Sequence, residues 1–407
     1  MSDGVQMRMG KVEFIAFCAM MSATVAFSID SMLPGLPDIA QELTPLDPNR
    51  AQLVLTSFVL GMGLGTFLVG PLSDRFGRRS IILSGAILYC IGAFLAWRAA
   101  SLEFMLAARI LQGIGASGPR IVSMALVRDL YSGREMAKIM SFIMMVFTLV
   151  PAIAPLMGAS IIAISDWRGI FVAFMCFSIV SMIWMGVRLP ETLIPEKRQL
   201  FRINSLVAAS KEFWSYKRSR ISILCQALML GLLFGLLSTV HPIYDVTFDR
   251  ADSFPQWFGA ISVFAGSASL LNASLVVKVG MRNLILVSFA VQTVLSSIML
   301  IVSLLHPADG VYFPIFIIWQ TSVFFATGMT LGNLTALAME PVGHIAGLAA
   351  SIMGGLSTVL GALIAAPIGL MFVGTPAPLA GSAIVLSALA TGAMLWLRNY
   401  ELLKGEE

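Results

Sequence analysis

The sequence predicts an all-α membrane protein of twelve transmembrane helices in two six-helix halves, and three observations lead there. The 407 residues are 58% hydrophobic and only 12% charged, against about 25% charged in an ordinary soluble domain. Lipid, not water, must therefore be the solvent for most of the chain. The apolar residues run continuously, without the alternation of a lipid-facing strand, which selects helices over a barrel. Twelve crossings of about 20 residues consume roughly 240 positions, leaving short loops and no sizeable extramembrane domain for a sensor's output.

Hydropathy places the spans at 12–36, 51–72, 80–97, 103–126, 138–163, 167–187, 220–241, 257–279, 283–305, 312–337, 346–372 and 377–397. Arg8 and Lys11 precede the first run as in a signal peptide, but no small-residue cleavage site follows. The run continues past Asp30 to Pro34 and Pro37, so it is expected to persist as the first span. The longest polar stretch divides the chain into a half of residues 1–187, a linker of 188–219 and a half of 220–407. Within the linker Ile203, Leu206, Val207, Phe213 and Trp214 recur at helical spacing, with Arg202, Ser205 and Glu212 between them. This predicts a short helix lying on the inner membrane face, with a disordered linker as the alternative.

With the N-terminus inside, and with Lys138, Arg168, Arg220 and Lys278 at span ends counted with their adjoining loops, 20 of the 26 Lys and Arg residues fall on the inner side, 4 fall outside, and Arg109 and Arg120 lie within spans. The positive-inside rule then places both ends in the cytoplasm. Loop topology thus accounts for the net charge of +4, and no nucleic-acid partner is expected. Cys18, Cys90, Cys176 and Cys225 all fall in apolar runs without metal-ligand spacing and read as small core residues. His241, His306 and His344 are scattered and no nucleophile stands beside a base, which excludes a recognisable catalytic constellation and a metal centre.

Three first-half segments carry the chemistry. Between spans two and three, Gly70-Pro71-Leu72-Ser73-Asp74-Arg75-Phe76-Gly77-Arg78-Arg79 is a tight turn with one acid and three bases. Its glycines permit the turn, and its acid can face a helix N-terminus. A reduced copy, Lys278-Val279-Gly280-Met281-Arg282, follows span eight without the acid, where a six-plus-six duplication would put it. In span four, Arg109 costs about 2.5–3.5 kcal/mol in hydrocarbon, so it should face a cavity or a partner; snorkelling to the outer interface is the other reading. Arg120, nearer the inner side, is expected to reach the interface or a cytoplasmic gate. Asp30 is placed about six residues, or roughly 9 Å, inside the outer end of span one, at the depth of Arg109. An acid whose proton affinity depends on access and occupancy is what an ion-coupled carrier needs; a helix-breaking turn residue is the alternative. Pro151, Pro155 and Gly158 predict a bend and a close approach in span five.

In the second half His241 reads as a solvated interfacial histidine, with titration in a pathway as the alternative. Gln226, Asn272, Gln292, Gln320 and Asn333 are expected mostly to satisfy helix contacts, with one or two lining a cavity. Asp245, Asp249 and Asp252, with Arg250 among them, read as a solvated charge run.

Gly70, Asp74, Arg75, Gly77, Arg78 and Arg79 fill every defined position of the signature GxxxD(R/K)xGR(R/K), and here the chain resembles the major facilitator superfamily. Adding Asp30 with its following prolines, Val127-Arg128-Asp129-Leu130-Tyr131, the span-five prolines and Pro190-Glu191-Thr192, it looks like the Bcr/CflA subfamily of drug:proton antiporters over most of residues 28–193. The resemblance implies a cytoplasmic latch formed by that loop with Asp129. From Arg109-Ile110-Leu111-Gln112-Gly113-Ile114-Gly115-Ala116, similar to the family's span-four pattern, it implies that Arg109 moves protons or tunes an acid. Cavity candidates are Gln112, Arg120, His241, Asn272 and Asn333. The chain departs from the pattern at Ala154 and Ala159, where glycine is usual, and at Val240-His241-Pro242-Ile243-Tyr244, where Ser-Pro-Phe-Val is usual. The function implied is export of small amphipathic or apolar drug-like compounds from a bacterial inner membrane, in exchange for protons and by alternating access. The carrier would be a monomer, with no cofactor beyond the coupling proton. The alternative on the same fold is a proton-linked exporter or importer of a metabolite such as an amino acid or sugar.

Overall fold

A computed structural model describes residues 9–193 and 203–404; Arg8, Arg202 and the centre of the 188–219 linker lie outside the described residues. The first unit, Met1–Asn204, contains α1 (Lys11–Asp30), α2 (Leu36–Leu43), α3 (Leu53–Phe76), α4 (Arg78–Trp97), α5 (Leu102–Leu130), α6 (Gly133–Ile164) and α7 (Trp167–Arg188). The linker's apolar-patterned segment forms α8 (Ile203–Ser215). The second unit, Ser205–Glu407, continues with α9 (Lys217–Pro242), α10 (Phe254–Val279), α11 (Met281–Leu305), α12 (Asp309–Met339), α13 (Ala346–Leu370) and α14 (Ala377–Lys404). Among the described residues 12 helical stretches are long and apolar enough to cross a membrane, the first running from Lys11 through Leu43. They coincide with the predicted spans, because only a continuous apolar run can satisfy its backbone in lipid.

That first stretch departs from the expectation of one straight span. α1 ends at Asp30, a 3₁₀ turn follows at Leu33–Gly35, and α2 begins anew at Leu36. Pro34 and Pro37 lack an N–H and occupy the first turns of the two new segments, where the missing donor costs nothing. Asp30 therefore does not lie six residues inside an unbroken helix. It is the last residue before a break, 4% exposed.

Within the first unit α5 packs against both α3 and α4, α1 against α6, and α4 against α7. The second unit repeats the scheme: α12 packs against α10 and α11, α9 against α13, and α11 against α14. The reduced motif fits the same repeat. Gly77 joins α3 to α4 at φ 96° and Gly280 joins α10 to α11 at φ 83°, backbone that L side chains rarely adopt. Glycine also sets how closely α5 is gripped. A Cβ on Gly113 would collide with the Phe58 carbonyl of α3, and one on Gly115 with the Tyr89 backbone of α4. Small residues let three backbones meet around one stretch of α5.

One expectation fails in packing. Cys18 and Cys225 are buried, but Cys176 is exposed. It shares a face of α7 with Val172, Ile179, Val180 and Ile183, all exposed, and lipid accepts such residues as readily as a core does. The charge run after α9 is exposed at Asp249, Arg250 and Asp252, as a solvated run should be. α9 continues into a π turn, Ile243–Thr247, and Arg250 lies 4.5 Å from the Phe313 ring centroid.

Candidate functional site

The site grows from a cation in the core of the first unit. Arg109 is completely buried, which excludes snorkelling. Its Nε donates to the Val54 carbonyl on α3 (3.2 Å), one terminal nitrogen to Gln112 Oε1 (2.7 Å) and the other to the Ser28 carbonyl on α1 (3.1 Å). The Phe58 ring centroid lies 4.3 Å from the guanidinium carbon and that of Phe171 5.8 Å. Burying a guanidinium costs several kcal/mol. Charge-assisted hydrogen bonds of about 1.5–3 kcal/mol each and a desolvated ring contact of about 2 kcal/mol offset that cost, so Arg109 ties α5 to α1 and α3 without a carboxylate.

Asp30 lies two residues beyond Ser28 along α1, so the structure brings it to the depth of Arg109, as its place in the sequence suggested. It does not bring the two into an ion pair. Of the two buried carboxylates among the described residues, Glu401 pairs with Arg218 and Arg282, whereas Asp30 pairs with no cation. The break after Asp30 is held from two sides. A Cβ on Gly158 of α6 would run into the Ser31 carbonyl, which gives Gly158 its role, while α6 passes through Pro151 and Pro155 as one helix. On the other side Ser28 Oγ lies 2.5 Å from the hydroxyl of Tyr89 on α4. Tyr89, 1% exposed, is a member of this network that sequence reasoning missed; a phenol inside a span requires a polar partner, and that was the available signal.

At the end of α3 the loop residues Asp74 and Arg78 meet Asp129 within the first unit. Arg78 donates through Nε to Asp129 at 2.9 Å and through a terminal nitrogen to Asp74 at 2.5 Å and Ser73 Oγ at 2.7 Å. Glu191, which the sequence marks only within Pro190-Glu191-Thr192 and without a role, completes the cluster. Its two carboxylate oxygens accept the backbone N–H groups of Arg78 (2.9 Å) and Arg79 (3.2 Å), capping the N-terminus of α4. A Cβ on Gly77 would strike this carboxylate. Arg79 bonds the Gly186 carbonyl at 2.6 Å. Arg75 belongs to the signature but not to the network: it is exposed and lies 5.0 Å from the Phe76 ring centroid. Gly70 contributes only its carbonyl, to Ser73 Oγ at 2.8 Å.

Among the remaining candidates, Arg120 is half-buried, with one terminal nitrogen 3.5 Å from Met62 Sδ and its guanidinium carbon 6.0 Å from the Phe147 ring centroid. His241 is not a solvated interfacial histidine. It is 6% exposed, with its ring 4.9 Å from Phe254, because α9 carries helical turns past it to Thr247. Asn333 donates to Asn272 Oδ1 at 2.7 Å and to the Met329 carbonyl at 2.9 Å, so these two satisfy one another between α10 and α12. Gln320 Oε1 accepts from Tyr244 at 3.0 Å, and Gln292 Nε2 donates to Ser296 at 3.2 Å. The second half also holds a charge cluster that its reduced motif did not announce. Arg218 bridges Glu340 (2.8 Å) and Glu401 (2.6 Å), and Arg282 reaches Glu401 at 3.0 Å. The acid absent beside Gly280 is supplied by the ends of α12 and α14.

A family model described as the Major Facilitator Superfamily matches residues 14–366. The chain belongs to that superfamily. It is 30% identical over 384 residues to a bicyclomycin resistance protein homolog of Haemophilus influenzae, covering 93% of this chain and 94% of the relative. It is 26% identical over 347 residues to multidrug resistance protein D of Escherichia coli, covering 80% and 81%. The fold of the E. coli xylose transporter XylE, 13% identical, superposes with a TM-score of 0.74 over 96% of this chain and 97% of that one; at that identity it speaks for architecture alone. As a major facilitator the chain is a multi-pass membrane transporter and not an enzyme. Its relatives agree with the resemblance drawn from the loop and span-five motifs.

Proposed function

We propose that this carrier exports small drug-like compounds in exchange for protons, with Asp30 as the proton-carrying group and Arg109 as the residue that fixes its surroundings. The observation that carries the reading is a buried carboxylate at a helix break with no counter-cation. An unpaired buried carboxylate is costly as an anion, so it suits transient proton carriage better than a fixed ion pair. The names of the relatives supply the substrate class: bicyclomycin for one and several drugs for the other. With the site open inward, Asp30 releases its proton and substrate binds; open outward, substrate leaves as Asp30 is reprotonated. The two halves alternate access around this exchange, and the Arg78, Asp74 and Asp129 cluster biases the state closed to the cytoplasm. The residence is a bacterial inner membrane with both termini cytoplasmic, and the working unit is a monomer.

Entry of one proton charge supplies about 2.3 kcal/mol per 100 mV. The test is proton release from detergent-solubilised protein on adding bicyclomycin, chloramphenicol or a panel of sugars and amino acids. The reading expects release with one or more drugs, absent in Asp30→Asn. Release with metabolites alone would replace drug export by metabolite transport.

A further inference from the structure

We infer that the seam between α9 and α14, at the end of the spans marked by Lys217 and Tyr400, binds the headgroup of an anionic phospholipid. Trp396 and Tyr400 stand one turn apart on α14 with stacked rings, centroids 5.7 Å apart and 13° from parallel. Lys217 Nζ lies 3.6 Å from the Tyr400 centroid and 5.4 Å from that of Trp396. Arg220, one turn along α9 on the same face, is exposed. Lys217 and Arg220 form no ion pair among the described residues.

The nearby acids are already engaged. Glu401 is turned inward and holds Arg218 and Arg282, while Glu340 holds Arg218. Two cations against two carboxylates leaves the charges of Lys217 and Arg220 uncompensated on the outer face. The opening of the first half differs: Lys11 pairs with Glu135, and Glu13 holds Arg188 at 2.8 Å.

Beneath the cations the surface is apolar and continuous. Leu224 follows Arg220 one turn deeper and is exposed. On α14, Trp396, Leu389 and Val385 are each at least half exposed and lie along one face. Between them Gly392 has nothing within 4 Å of the position a Cβ would take, leaving a gap in the stripe. Cations and aromatic rings at headgroup level above an apolar track match a phosphodiester with its acyl chain. A neutral lipid would fill the track and leave the two charges unmatched.

Native mass spectrometry of the full chain, released from micelles containing equimolar phosphatidylglycerol and phosphatidylcholine, tests the assignment. Two uncompensated cations predict retention of phosphatidylglycerol over phosphatidylcholine by about thirtyfold. Lys217→Gln with Arg220→Gln should bring the ratio close to parity, while Arg134→Gln with Lys138→Gln, removing two exposed cations of α6, should leave it unchanged. Gly392→Leu fills the gap without touching charge and should reduce phosphatidylglycerol adducts, which keeps the test open if the double variant does not fold. Equal retention of the two lipids by the unaltered protein, an equal loss in both double variants, or displacement of the lipid by millimolar inorganic phosphate would overturn it.

Discussion

Arg109 holds three helices through single hydrogen bonds, and each bond predicts its own consequence. Arg109→Lys keeps the charge but cannot reach the Val54 and Ser28 carbonyls and Gln112 together, since an ammonium lacks the planar fork. Leaving buried acceptors unmet costs about 1–3 kcal/mol each, so thermal unfolding in detergent should show a drop of at least that size, together with loss of transport. Tyr89→Phe removes the hydroxyl that meets Ser28 and Gln112 and should cost about 0.5–1.5 kcal/mol while slowing transport; unchanged stability and rate would remove Tyr89 from the network. These roles were unequally visible in the sequence. Arg109 and Asp30 stand out because a charge within an apolar run is costly wherever it points. Tyr89 and Glu191 do not, because each is defined by a partner 61 or more positions away in the chain, and a linear pattern does not say which spans meet. His241 misled because the helix was expected to end near it, whereas a π turn carries the backbone past it and buries the ring.

At the scale of elements the two halves use one plan with different fastenings. Gly77 and Gly280 both hold positive φ with ψ near 150° at the joint of two spans, so alanine at either should cost about 1–3 kcal/mol in backbone strain. Only at Gly77 does the added Cβ meet a neighbour, the Glu191 carboxylate. Gly77→Ala should therefore cost more than Gly280→Ala in thermal unfolding, and equal costs would show that Glu191 does not hold the turn. Glu191→Ala itself should cost about 0.5–2 kcal/mol, the range for loss of a helix cap, and loosen the Arg78 cluster. The spans were legible because lipid demands an unbroken apolar run of near-fixed length. The fastenings were less so: Glu340 and Glu401 stand at helix ends, where acids are unremarkable in sequence, and only packing of α9, α11, α12 and α14 gathers them around Arg218 and Arg282. Since Glu401 is buried between two arginines and Glu340 is partly exposed, Glu401→Gln should destabilise more than Glu340→Gln.

For the whole molecule, superfamily membership and twelve spans establish a carrier, and the proposed function assigns its coupling proton to the unpaired Asp30 at the break in the first span. Export of a drug against its gradient then requires each turnover to move a proton through that carboxylate. Everted membrane vesicles test this most directly, with substrate uptake and the pH gradient followed together. The account predicts that Asp30→Asn abolishes proton-driven uptake and substrate-induced collapse of the gradient, while still binding substrate and exchanging it passively. Full proton-driven accumulation by Asp30→Asn would contradict it.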